Sequence, residues 1–188
     1  MPEPSFDEIV AAMKKAAGVL QRCEIPFVLA GGLAAWARGG PKTEHDVDFM
    51  IKEEDVDAAM RAFDREGFQT EIPPEGWLRK VYVDGVLVDL IFAPSGGPVT
   101  DETIARAESL EVVALRIPVA TIDDVMTTKL LALTEQEPEF SSVLELARAL
   151  REQIDWEDVR SRTSESPFAK AFFTLVEALG IIEPVAAS

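Results

Sequence analysis

The stretch RKVYVDGVLVDLIF, residues 79–92, constrains the fold more than any other in the chain. Two runs rich in β-branched and aromatic residues flank Asp84-Gly85, a dipeptide that readily supplies the two positive-φ positions of a type I′ turn. The segment therefore predicts an antiparallel hairpin. Alternation puts Val86, Val88 and Leu90 on one face of its second strand and Leu87, Asp89 and Ile91 on the other. A carboxylate in mid-strand among apolar neighbours costs several kcal/mol to bury unless it is paired or bound to a cation. Asp89 therefore needs a partner from elsewhere in the chain.

Residues 27–51, FVLAGGLAAWARGGPKTEHDVDFMI, offer one. FVLA is a short apolar run bounded by glycine and reads as a buried strand, GLAAWA as a short helix closed by Gly39 and Gly40, and DVDFMI as a half-buried strand. Asp46 and Asp48, two apart, share a face, and like charges so placed are ordinarily relieved by a hard divalent cation. If this strand neighbours the one carrying Asp89, the three carboxylates make an oxygen-rich site suited to one or two Mg²⁺ ions. The competing reading, a solvated strand edge, fits Asp46 and Asp48 less well once Asp89 is counted. Gly31 and Gly32 lie at the handover from strand to helix, where unpaired N–H groups and absent side chains let an anion approach. GGPKT has Pro41 between glycine and lysine, so it is not a Walker A loop, and G-x-G-x-x-G does not occur.

Elsewhere, Ser5 and Glu8 have capping-box spacing, and Ile9, Met13, Ala17 and Leu20 share one face of a first helix. EEDVDAAMRAFDREGF predicts a second, with Val56, Met60 and Phe63 inward and Gly67 near its end. LEVVALRIPVA reads as a further strand. Thr121 then caps a helix, with Asp124 at the capping-box position. Glu53-Glu54-Asp55 and Asp123-Asp124 read as first-turn acids complementing helix dipoles. From Phe140 onward the pattern is helical. The expected fold class is α+β: a mixed β-sheet core flanked by helices over residues 1–120, and a helical C-terminal region over 121–188 packed on it.

With Lys plus Arg at 18 against Asp plus Glu at 34, the net charge is −16 and the pI about 4.4. That balance argues against a nucleic acid partner, whose phosphates call for the opposite charge. The single cysteine excludes an intramolecular disulfide, and Cys23 reads as a small core residue of the first helix. MPEPSFDEIV lacks the features of a signal peptide and no apolar run is long enough for a membrane span, so a cytoplasmic location without membrane contact is expected. Trp36, Trp77 and Phe92 read as core or rim packing. His45 reads as a surface residue or an ion-pair partner.

Taken together, Gly31-Gly32, Asp46-Val47-Asp48 and Val88-Asp89-Leu90 resemble the nucleotidyltransferase superfamily built on the DNA polymerase β fold. Its pattern is a hydrophobic residue, glycine, then glycine or serine; two acids one residue apart; and later an acid between hydrophobic residues. The likeness covers residues 24 to 92 and is similar to bacterial stand-alone members related to AbiEii-type toxins and small antibiotic nucleotidyltransferases. It implies that Asp46 and Asp48 bind the Mg²⁺ escorting a nucleoside triphosphate, and that Asp89 helps hold a second ion or acts as base toward the acceptor hydroxyl. Gly31 and Gly32 would hold the β- and γ-phosphates, and Lys129 would contact the triphosphate. Lys42 stands where many relatives carry arginine; it keeps the charge but not the bidentate fork. Gly32 stands where many carry serine, which removes a hydroxyl contact to phosphate. An R-x-x-D signature of some toxin-like relatives is not evident in SVLELARALREQIDW. The implied activity is Mg²⁺-dependent transfer of a nucleoside monophosphate from an NTP to a small-molecule or protein acceptor. The alternative is a non-catalytic or regulatory protein of this fold, such as a toxin-antitoxin component acting by partner binding; the presence of all three acids favours the enzyme.

Overall fold

The structure, a computed structural model, describes residues 3–43 and 46–183, so His45 lies outside the described residues. Helix α1 (Phe6–Arg22) opens on the expected capping box, the Ser5 hydroxyl accepting from the Glu8 N–H and the Glu8 carboxylate accepting from the Ser5 N–H. There follow β1 (Phe27–Leu29), α2 (Gly31–Ala37), β2 (Val47–Ile51), a 3₁₀ turn (Glu53–Asp55), α3 (Val56–Arg65), β3 (Gln69–Glu71), β4 (Leu78–Val83) and β5 (Val86–Ile91). The remainder is α4 (Asp101–Arg106), β6 (Glu108–Val112), β7 (Leu115–Val119), α5 (Ile122–Ala132), α6 (Ser141–Leu150), α7 (Trp156–Arg162) and α8 (Pro167–Ala178).

The strands form one mixed sheet in the order β3-β4-β5-β2-β1-β7-β6. β4 and β5 are the expected hairpin, and Asp84 and Gly85 both take positive φ, +52° and +85°. β2 runs parallel to β5 and antiparallel to β1, which is itself parallel to β7. By alternation Val47, Phe49 and Ile51 of β2 and Val88 and Leu90 of β5, all buried, point to one face, while Asp48, Met50, Asp89 and Ile91 point to the other. α1 packs on β2, β4 and β5 and against α3; its Ile9, Met13, Ala17 and Leu20 stripe is wholly buried. α5 touches α2, α6, α7 and α8, and one apolar cluster runs from Ile9 to Val176.

Three expectations are corrected. LEVVALRIPVA lies across two strands, β6 and β7, joined at Val113 and Ala114, whose φ values are +48° and +61°. Neither residue favours that region, so the turn left no mark in the sequence. Cys23 is exposed at the C-cap of α1, three residues past Leu20, the last of the buried stripe. Thr121 caps α5 as expected, accepting from the Asp124 N–H, but the Asp124 carboxylate does not complete a capping box. It is buried instead between Arg106 (3.2 Å) and Arg162 (2.6 Å), so it ties α4, α5 and α7 together, and the two guanidinium groups hold its carboxyl below the usual range against the cost of burial.

Candidate active site

The site is built at the meeting of β1, β2 and β5. Parallel pairing sets Asp48 directly opposite Asp89, and Asp46 immediately precedes β2 on the same face. One carboxylate oxygen from each of Asp46, Asp48 and Asp89 lies within 4.8 Å of the others. Asp89 is buried and its Oδ1 has no hydrogen-bond partner. Burial, then the charges of Asp46 and Asp89, push the Asp48 carboxyl up to about 7, with Lys129 opposing. Burial and Asp46 likewise push Asp89 up to about 6; Lys80, across the ladder on β4, pulls against this, and Glu75 adds to it. An acid cluster this costly, with a buried oxygen left unpaired, has the donor set that a hard divalent cation satisfies.

The glycine pair has a steric reason. Gly31 takes φ +57°, and a Cβ there would fall 1.7 Å from Asp48 Oδ2. Only glycine lets the carboxylate rest against the first turn of α2. The Ala30 N–H donates to the Asp48 carbonyl at 2.9 Å, which fixes the strand end against that turn. A Cβ on Gly32 would fall 2.7 Å from Thr43 Oγ1, so the threonine hydroxyl fills the space that a side chain at 32 would take.

Beside the carboxylates lies a cavity of about 320 Å³ whose lining includes Gly32, Lys42, Thr43, Lys129, Ser142 and Glu145. It brings both lysines singled out in the sequence to the same place as the glycine pair. The Lys42 ammonium also sits 4.9 Å over the Phe6 ring, a cation–π contact that holds it at the rim. Thr43, Ser142 and Glu145 were not anticipated. Thr43 stood unmarked between Lys42 and the acids, and α6 reaches the cavity through tertiary packing that no local pattern encodes. Gly39 and Gly40 do not line it; they end α2, where the Gly40 N–H donates to the Ala35 carbonyl.

A mixed sheet with glycine at the β1–α2 turn and three acids converging from β2 and β5 defines the nucleotidyltransferase class of fold. The chain belongs to the family described as "Nucleotidyl transferase of unknown function (DUF2204)", whose sequence model matches residues 9–171. No curated protein matches it in sequence. Among solved structures it is similar to the antibiotic-resistance factor ANT(2″)-Ia, at 12% identity over 91% of this chain and 96% of that one, with a TM-score of 0.62. A candidate nucleotidyltransferase from Thermotoga maritima is similar at 18% identity, over 69% of this chain and 87% of that one, with a TM-score of 0.56. The lincosamide antibiotic adenylyltransferase LnuA is similar at 13% identity, over 72% and 94%, with a TM-score of 0.54. At these identities the likenesses speak to the fold alone. Among the described residues no helix is long and apolar enough to cross a membrane.

Proposed function

We propose that the protein is a Mg²⁺-dependent nucleotidyltransferase that moves a nucleoside monophosphate from an NTP to a small hydroxyl-bearing acceptor. The observation that carries this is the convergence of Asp46, Asp48 and Asp89 within 4.8 Å across two strands, beside a glycine held open at Gly31. Asp46 and Asp48 would hold the cation that accompanies the triphosphate, with Asp89 contributing to a second position. Bound there, Mg²⁺ would neutralise charge on the reacting phosphate. Gly31 and Gly32 would present first-turn amides to the β- and γ-phosphates, and Lys42 and Lys129 would supply the positive charge that their cavity shares with Gly32. Thr43 would return the hydroxyl that Gly32 lacks. In this reading residues 1–120 carry the carboxylates, and residues 121–188 complete the nucleotide cavity through Lys129, Ser142 and Glu145.

The acceptor oxygen would bond to the α-phosphorus as the bond from that phosphorus to the oxygen bridging to the β-phosphate breaks. Pyrophosphate leaves with the electron pair, and the hydroxyl proton passes to Asp89 Oδ1, the buried oxygen with no other partner. The acidic net charge and the small molecules bound in structures of this fold, lincomycin in LnuA and adenylyl-2″-tobramycin in ANT(2″)-Ia, support a small acceptor over a nucleic acid. The test is to incubate the protein with labelled NTPs, Mg²⁺ and a metabolite extract and follow pyrophosphate release together with nucleotide mass gain. Release that requires Mg²⁺ and stops in Asp46→Asn supports the reading. Release unaffected by that substitution, or none at all, overturns it.

A further inference from the structure

A second group of cations stands apart from Lys42 and Lys129. Arg106 from α4 and Arg162 from α7 share one buried carboxylate, Asp124 of α5, so two positive charges meet one negative. Arg162 also reaches Asp158, but that i,i+4 pair lies half-exposed on α7, where water screens it. Arg106 bonds Asp124 through Nε and Nη2, and Arg162 uses its Nη1 and Nη2. Arg106 Nη1 and Arg162 Nε are left without a hydrogen-bond partner among the described residues. Both side chains reach solvent, 48% and 32% exposed, so a ligand can meet them.

Arg106, Asp124 and Arg162 stand in the wall of a cavity of about 90 Å³ in which Asp124 is the only acid among the described residues. Ser95, Thr103 and Thr128, each carrying a hydroxyl, also line it. Residues 94–98 border it as a turn, the Gly97 N–H donating to the Pro94 carbonyl at 3.1 Å. Gly96 and Gly97 take φ +110° and +127°, a backbone path that other residues rarely follow, so the glycines are what permit this turn. Met50 lies in the same wall, two residues beyond Asp48 on the same face of β2 and about 7 Å along the strand. None of Asp46, Asp48, Asp89, Lys42 and Lys129 lines this cavity, which is therefore separate from the site described above.

We propose that this cavity binds a phosphate-sized oxyanion, as free phosphate or as the phosphoryl end of a small molecule, with Arg106 and Arg162 supplying the charge and Ser95 and Thr128 the hydroxyl donors. The excess positive charge favours an anion. Donors arriving from α4, α5, α7 and the 94–98 turn approach it from several sides, which suits a tetrahedral group better than a planar carboxylate. The volume holds such a group and is too small for a nucleoside. Such a site stands whether or not Asp46, Asp48 and Asp89 carry out nucleotidyl transfer.

The isotope-labelled full-length protein, with a chelator and at constant ionic strength, would be titrated with inorganic phosphate and with phenyl phosphate. NMR would follow the Gly96 and Gly97 amides and the Arg106 and Arg162 Nε–H groups. Saturable shifts of these signals with either probe, absent with sodium chloride, are expected, and the tighter-binding probe tells free phosphate from a phosphoryl group on a larger molecule. Arg106→Lys keeps a charge beside Asp124 but loses the guanidinium fork, and should weaken binding about tenfold. Ser95→Ala/Thr128→Val leaves the Arg106–Asp124–Arg162 cluster intact and should weaken binding about threefold to tenfold. No saturable shift with either probe overturns the proposal. So do shifts confined to Gly31 and Gly32, or an affinity that neither variant changes.

Discussion

Replacing Asp48 by asparagine should stabilise the metal-free protein at neutral pH. Burial and the neighbouring acids raise its carboxyl from 3.8 to about 7. A raised pKa means that the folded state binds the proton more tightly than the unfolded chain. Stability is therefore full below the ordinary carboxylate pKa and is lost as pH rises through about 7. At 1.36 kcal/mol per pKa unit the full effect is about 4 kcal/mol, of which roughly 2 to 3 falls between about pH 5 and pH 8. Asp89, raised to about 6, acts with the same sign. Asp124 has the opposite sign, but its carboxyl is lowered, so its contribution is constant across this window. The one histidine, His45, is common to both proteins. Urea unfolding at pH 5 and pH 8 in the presence of a chelator should show the wild type losing stability with rising pH and Asp48→Asn losing much less. At pH 8 the variant should be the more stable of the two by roughly 2 to 4 kcal/mol. Added Mg²⁺ should raise the wild type and not the variant. A wild type as stable at pH 8 as at pH 5, or a variant less stable there, would refute the reasoning.

Gly31→Ala should cost roughly 1 to 2 kcal/mol for its positive φ alone, and more because the new methyl collides with Asp48 Oδ2. In an Asp48→Ala background the collision with the carboxylate is gone and the backbone cost remains with a 3.1 Å approach to the Cβ of residue 48, so a double-mutant cycle in urea showing simple additivity would contradict the packing described. Asp124→Ala leaves Arg106 and Arg162 without their shared carboxylate and should lower unfolding free energy by about 2 to 4 kcal/mol; a loss under about 1 kcal/mol would show that the cluster contributes only as a surface pair does. Val113→Asn with Ala114→Gly places suitable residues at φ values of +48° and +61° and should raise stability by about 1 to 2 kcal/mol in the same assay.

The parts of the fold legible in the sequence were those encoded locally. Asp84-Gly85 specified its hairpin because those two residues tolerate positive φ, and parity along β2 and β5 placed Asp46, Asp48 and Asp89 on common faces. The exact opposition of Asp48 and Asp89 was not legible, because parallel pairing of strands some forty residues apart is decided by packing. Val113-Ala114 turns without a turn residue, so its hairpin passed for a single strand. Asp124 had the position of a capping residue, but Arg106 and Arg162 arrive from other helices and take its carboxylate. The same holds for Ser142 and Glu145, which reach the cavity of Lys42 and Lys129 only because α6 packs on α5.

The central claim is that Asp46, Asp48, Asp89 and the Gly31 turn form one metal-and-nucleotide site. Titration calorimetry with a non-hydrolysable ATP analogue, with and without Mg²⁺, on the wild type and on Asp46→Asn tests it most directly. Affinity that depends on Mg²⁺ and falls at least tenfold in the variant, a loss of about 1.4 kcal/mol or more, is the predicted result. Affinity independent of Mg²⁺, or equal in the two proteins, would contradict it.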